Sequence, residues 1–179
     1  MLSCSQNHQT KKKPVLKFHD IETPIDSACL YGVPNDRGIH LGDSVAYLNQ
    51  NGDTVIPLGK YSHCWTDTVK YFGIVYDSEA TKGTVVAIDQ KQNFLFEVYL
   101  FDNTPDILQE GLFRVKRNGK IGFANKYGQV VIPCQFQCAY PFENGKAKVT
   151  YNCTKSIPDE HKPPQSDSWF FIDKIGNKI

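Results

Sequence analysis

The sequence predicts an all-β protein made of consecutive antiparallel β-hairpins, set out as an open stack or sheet-like array with little helix. Three observations predict this. One segment recurs along the chain, short apolar runs alternate with Gly-bearing turns, and no window longer than about ten residues keeps a 3.6-residue apolar period free of Gly or Pro. At 179 residues and 40% hydrophobic content the chain can bury one substantial core, with turn residues that favour many short elements.

In chain order, residues 1–14 form a polar tail that reads as disordered. It opens Met1-Leu2-Ser3-Cys4-Ser5, the form of the end of a lipoprotein lipobox, in which the cysteine becomes the lipid-bearing residue; the apolar region that precedes such a box is missing. Two readings stand: Cys4 is a lipidation site at the cell envelope, or it belongs to the tail of a cytoplasmic protein. Residues 15–44, with Pro24, Gly32, Pro34, Gly38 and Gly42, form an irregular lead-in with one or two short strands.

Residues 45–179 form the repeat domain. Tyr47-Leu48-Asn49-Gln50-Asn51-Gly52-Asp53-Thr54-Val55-Ile56-Pro57 returns as Phe123-Ala124-Asn125-Lys126-Tyr127-Gly128-Gln129-Val130-Val131-Ile132-Pro133, with a degraded copy over 87–96 and a partial one over 171–179. Gly52, Gln92, Gly128 and Gly176 fall at equivalent places, 40, 36 and 48 residues apart. Apolar residues, a polar turn ending in Gly, and a β-branched run make each copy a hairpin. A second turn recurs at Gly111 and Gly145, and Asn118-Gly119 is the clearest two-residue hairpin loop. Gly122 leaves room for a neighbouring backbone or ring. Trp65 to Phe72 reads as extended or as a short helical turn, and Asn152 to Asp167, with Pro158, Pro163 and Pro164, as a long loop.

Residues 110–149 carry a resemblance to a known family. Glu110-Gly111-Leu112-Phe113-Arg114-Val115, then Lys120-Ile121-Gly122-Phe123, the Gly128 turn, Val131-Ile132-Pro133, and Phe142-Glu143-Asn144-Gly145-Lys146-Ala147-Lys148-Val149 resemble a full WG repeat, with Ile121-Gly122 where Trp-Gly gives the family its name. The resemblance extends more weakly over 44–179. It implies a bacterial-type, non-catalytic interaction module, often exported or lipid-anchored, with an unidentified protein partner.

Other chemistry is weighed against structural alternatives. The net charge of +1 gives no electrostatic footprint for a phosphate backbone, so nucleic acid is not expected as a partner, and a membrane is expected only through an anchor at Cys4. Cys134, Cys138, Cys153 and His161 meet only the loose edge of zinc-ligand spacing, so no metal and no cofactor is expected. In an exported protein Cys138 and Cys153, which flank the Asn144-Gly145 turn, would face each other across adjacent strands as a disulfide; inside the cell they would be half-buried thiols. His63 and Cys64, with Asp67 nearby, invite a nucleophile and base, but neighbours along a strand point to opposite faces. Asp77, Glu79 and Asp89, or Asp102 and Asp106, sit in turns where carboxylates bond local backbone. Arg114, Lys116, Arg117 and Lys120 read as a solvated basic hairpin tip. Trp65 and Trp169 read as packing residues first and as a sugar platform second. No catalytic residue is assigned; the alternatives are a hydrolase-like site assembled only in three dimensions and a carbohydrate-binding surface.

Overall fold

A computed structural model describes residues 16–21, 29–33, 43–154 and 164–179. The tail 1–14 with Cys4, the centre of the 152–167 loop, and His161 lie outside the described residues. Among the described residues there is no helix; all regular structure is antiparallel strand, in open sheets.

The strands fall into repeating three-stranded meanders. The first is β1 (Leu30–Val33), β2 (Ala46–Leu48) and β3 (Thr54–Ile56), so its opening strand lies within the lead-in. After β4 (His63–Cys64) and β5 (Thr68–Val69) comes the second, β6 (Gly73–Tyr76), β7 (Val86–Ile88) and β8 (Phe94–Val98). A small hairpin, β9 (Leu100–Phe101) and β10 (Thr104–Pro105), precedes the third, β11 (Leu112–Arg117), β12 (Lys120–Asn125) and β13 (Val130–Phe136). The fourth is β15 (Lys146–Thr150) and β16 (Phe170–Ile172) with an isolated bridge at Lys178, led in by β14 (Cys138–Glu143). Units two and three share a seven-stranded sheet, β13-β12-β11-β8-β7-β6-β4. Unit one forms a sheet in the order β3-β2-β1-β5, and unit four one in the order β14-β15-β16. In Trp65 to Phe72 only β5 is strand, with bends at Asp67, Lys70 and Tyr71, and no helical turn forms.

One turn defines the repeat. At Asn49, Asp89, Asn125 and Asp173 the side-chain Oδ1 accepts the N–H groups two and four residues on, at 2.8–3.1 Å. The backbone carbonyl of each accepts from the residue three on: Gly52, Gln92, Gly128 or Gly176. A side-chain bond to the residue four on closes each ring, as from Asn49 Nδ2 to Asp53 at 3.0 Å and from Asn125 Nδ2 to Gln129 at 2.9 Å. The residue three on sits at φ 86°, 65°, 79° and 90° in the four copies, the left-handed region where glycine meets least strain. Gln92 is the exception, and its side chain explains its place: Nε2 donates to the Val55 carbonyl of unit one at 3.3 Å, and Oε1 accepts from Lys60. The other turns, Glu110-Gly111, Asn118-Gly119 and Asn144-Gly145, have two consecutive left-handed residues, as tight hairpins require.

Strand alternation sends neighbouring side chains to different cores. The residue two before each turn-forming Asx points forward along the chain of units. Tyr47 lies in the core between units one and two, Ala87 in that between two and three, and Phe123 in that between three and four. The residue immediately before the Asx points backward: Ile88 meets unit one, Ala124 unit two and Ile172 unit three. Units two and three therefore bury both faces against their neighbours and units one and four one face each, the arrangement of a solenoid. The middle core is tightened by Phe72, Phe96 and Phe113, whose ring centroids are 5.8–5.9 Å apart.

Gly122 has the close neighbouring backbone for which its missing side chain leaves room: a Cβ there would stand 2.5 Å from the Ile132 carbonyl oxygen and 2.7 Å from the Cys134 nitrogen. By sequence it also counts among the repeat's turn glycines, and that part is corrected, since it lies inside β12. β13 crosses that space because the β12–β13 register shifts between Ile121 and Phe123. Gly122→Ala is expected to cost about 1–3 kcal/mol, the range for overpacking a close contact. A urea midpoint equal to that of the parent chain would show that the bulge absorbs the methyl group.

Candidate functional site

The hairpin β9–β10 leaves the sheets between units two and three. Its turn residues Asp102 and Asn103 hold φ of 51° and 60° without glycine, a conformation Asp and Asn tolerate better than other side chains. Two hydrogen bonds and the strand register fix it. Thr104 Oγ1 donates to the Phe101 carbonyl at 2.9 Å, and Asp106 N–H donates to the Tyr99 carbonyl at 2.9 Å. Thr104 pairs with Phe101 and Pro105 with Leu100.

The base of the hairpin is a buried ion pair. Asp106 Oδ1 accepts from Arg114 Nη2 at 2.7 Å, and Oδ2 accepts from Arg114 Nε and from its backbone N–H, both at 2.9 Å. The side chains are 6% and 4% exposed. Arg114 Nη1 reaches the Ala139 carbonyl of β14 at 3.1 Å, and the guanidinium carbon stands 4.1 Å from the Tyr99 ring centroid. A two-pronged Arg–carboxylate contact is the strongest form of such a pair, and it binds the hairpin, β11 and β14 into one unit.

Above this base the hairpin and the segment after it turn apolar side chains to solvent. Leu100 is 40% exposed, Phe101 64%, Ile107 66% and Leu108 49%. Four exposed large apolar side chains on and just after a braced hairpin are the kind of surface that meets another macromolecule.

The basic cluster is a second correction. Arg114 is buried in the ion pair just described, and Arg117 donates to the Leu95 carbonyl at 2.8 Å, to the His19 carbonyl at 3.0 Å and to Asp20 at 2.7 Å. Lys120 donates to Gln137 at 2.9 Å and Lys116 lies 4.7 Å from the Tyr99 ring. These cations hold the hairpins together instead of forming one solvated tip. Asp106 likewise serves a side chain eight residues on as well as the local backbone, which separates it from Asp89, whose bonds are confined to its own turn.

His63 and Cys64 diverge: His63 is exposed beside Tyr76, and Cys64 is buried in the first core, where loss of solvent pushes its thiol above the ordinary range. Burial also lifts the Cys134 thiol to about 11, so neither sulfur is primed as a nucleophile. Cys138 and Cys153 are bonded, with Cα atoms 6.2 Å apart. The strand partner of Cys138 is Thr150, so the bond ties the start of β14 to the neck of the loop beyond β15, where adjacent strands had been expected to carry both sulfurs. Those two sulfurs are thereby removed from any ligand set with Cys134. Asn152 flanks the bond, its N–H donating to Thr150 Oγ1 at 3.2 Å. Trp65 stacks near His63 at 6.1 Å, and Trp169 lies on the outer face of the last sheet, 5.3 Å from Tyr140.

Unit three is fastened to unit four by Glu110. Its carboxylate accepts from the Gly145 N–H at 3.0 Å and from Lys174 Nζ at 3.0 Å, and the Lys174 hydrogen bond holds its carboxyl below the usual range.

A family model described as WG containing repeat matches residues 121–152, which run from β12 through the Asn125 turn and β13 to the hairpin of β14 and β15. No curated protein and no solved structure matches the chain. The matched stretch holds one copy of a turn that the structure repeats at Asn49, Asp89 and Asp173, and residues 121–152 of the chain are a WG-containing repeat.

Proposed function

We propose that this is a non-catalytic protein-binding module that engages its partner through the apolar hairpin of residues 100–108. The observation that carries the reading is the exposure of Leu100, Phe101, Ile107 and Leu108 on a hairpin whose base is a buried two-pronged ion pair. A rigid base keeps the apolar group displayed and lowers the ordering cost of binding. The bonded Cys138–Cys153 pair favours an oxidising compartment such as the cell envelope, since such bonds are rare in the cytosol.

The test is site-directed photo-crosslinking in the native cell. A photo-reactive amino acid at position 101 is expected to trap a discrete protein adduct, and one at the exposed Asn118 turn none. The triple substitution Leu100→Ser, Phe101→Ser, Ile107→Ser is expected to abolish partner capture with an unchanged denaturation midpoint. No adduct at 101, or the same adducts from both positions, would overturn the reading.

A further inference from the structure

The repeat register identifies a second surface. Unit four has the same forward face that units one to three bury: Phe171, two before Asp173, is the equivalent of Phe123, and Trp169 the equivalent of Ile121. On β15, Lys146 and Lys148 follow Gly145 as Leu112 and Arg114 follow Gly111. In unit three these positions lie against unit four; in unit four Phe171 is 39% exposed. Lys146 stands 4.7 Å from the Phe171 ring and Lys148 5.3 Å from the Trp169 ring, with Tyr140 beyond. Neither lysine makes an ion pair among the described residues, although Glu143 lies opposite Lys146 in the strand register.

Unit three shows how its own face is satisfied. Its apolar positions meet apolar side chains of the next strands, and Arg114 meets a carboxylate and a backbone carbonyl. By the same register, Trp169 and Phe171 call for apolar cover and Lys148 for a carboxylate. A second copy of the chain would bring the opposite end of the stack, where Tyr31, Val33, Ala46 and Leu48 lie opposite one another in the β1–β2 register. That group carries no acid for the lysines. Lys146 and Lys148 are two apart on one strand, so their side chains leave it about 7 Å apart, the spacing of alternate side chains in an extended peptide.

Resting on the protein-binding reading, we infer that the forward face of unit four, built from Lys146, Lys148, Trp169, Phe171 and Tyr140, docks an extended acidic protein segment that alternates carboxylates with apolar or aromatic residues. The segment takes the place that unit four itself occupies on unit three.

The probes are a glutamate–tyrosine copolymer, polyglutamate, polygalacturonate and polylysine, added to the intact oxidised chain carrying Trp65→Phe, so that emission reports Trp169. The glutamate–tyrosine copolymer is expected to bind saturably at low ionic strength, more tightly than polyglutamate, and to weaken as salt rises. Lys146→Glu with Lys148→Glu is expected to lower its affinity at least about tenfold, as charge reversal against a charged partner does. Leu100→Ser with Phe101→Ser is expected to leave it unchanged. No saturable response from the parent chain, equal binding by the charge-reversed variant, or preference for polygalacturonate would overturn the inference. So would self-association in sedimentation that the charge reversal strengthens. Because the hairpin variant is read in the same assay, loss of copolymer binding with adduct formation at position 101 intact overturns this face alone and leaves the protein-binding reading standing.

Discussion

Replacing Asp106 with alanine is expected to destabilise the chain by about 3–5 kcal/mol, the cost of leaving one member of a buried ion pair without the other. Arg114 would keep its charge in a site where its side chain is 6% exposed, with the Ala139 carbonyl and the Tyr99 and Phe101 rings still beside it. Its own N–H would lose its acceptor as well. Urea denaturation of the single and double variants reads the effect. Asp106→Leu combined with Arg114→Met removes both charges and should recover much of the loss, because an apolar pair of similar volume often does as well as a buried ion pair. A single variant within about 1 kcal/mol of the parent would mean that water reaches Arg114 and that the hairpin is not braced as described. The two variants also separate stability from binding. The apolar double variant should fold yet hold residues 100–108 less rigidly, so partner capture should fall even where the midpoint recovers.

The hairpin stack was legible in the sequence because its determinants are local. A left-handed backbone position strongly favours glycine, so Gly52, Gly128 and Gly176 marked the turns and their spacing. The turn-forming Asx was equally available: Asn49, Asp89, Asn125 and Asp173 each stand three residues before those positions, and they identify the degraded copy more securely than Gln92 does. Two cores fed by alternate residues of one strand were not legible, since sending Phe123 one way and Ala124 the other depends on which sheets flank β12. Gly122 was legible in part: its missing side chain leaves room for a neighbouring backbone, and the sequence does not say that the backbone is that of β13. The ion pair was missed for the same reason. Arg114 belongs to a basic run, and only the fold-back of 99–106 through a turn without glycine brings Asp106 to it; the Asp102-Asn103 pair was the available signal for that turn.

Reducing the Cys138–Cys153 bond is expected to cost about 3 kcal/mol, the loop-closure value for a link that encloses about 15 residues. The bond closes the chain over the whole β14–β15 hairpin and the first residues of the loop, so its loss enlarges the unfolded ensemble without removing an apolar contact from the core. Local consequences fall on the loop neck. There Thr150 is fully buried and its Oγ1 lies 3.0 Å from Ser166 Oγ and 3.2 Å from Ser168 Oγ, while Thr154 N–H donates to the Gln165 carbonyl at 3.0 Å. These bonds should exchange their protons faster once Cys153 is released, ahead of any change in β11 to β13. Urea midpoints with and without reductant measure the global term. The double substitution Cys138→Ala, Cys153→Ala should match the reduced parent and ignore reductant, and an unchanged parent midpoint on reduction would remove the bond from the account of stability. Protein taken from its own cells with thiols blocked at lysis extends the test to location. Two fewer of the six thiols should be free before reduction than after it, and equal counts would overturn the oxidising-compartment reading while leaving the in vitro stability result untouched.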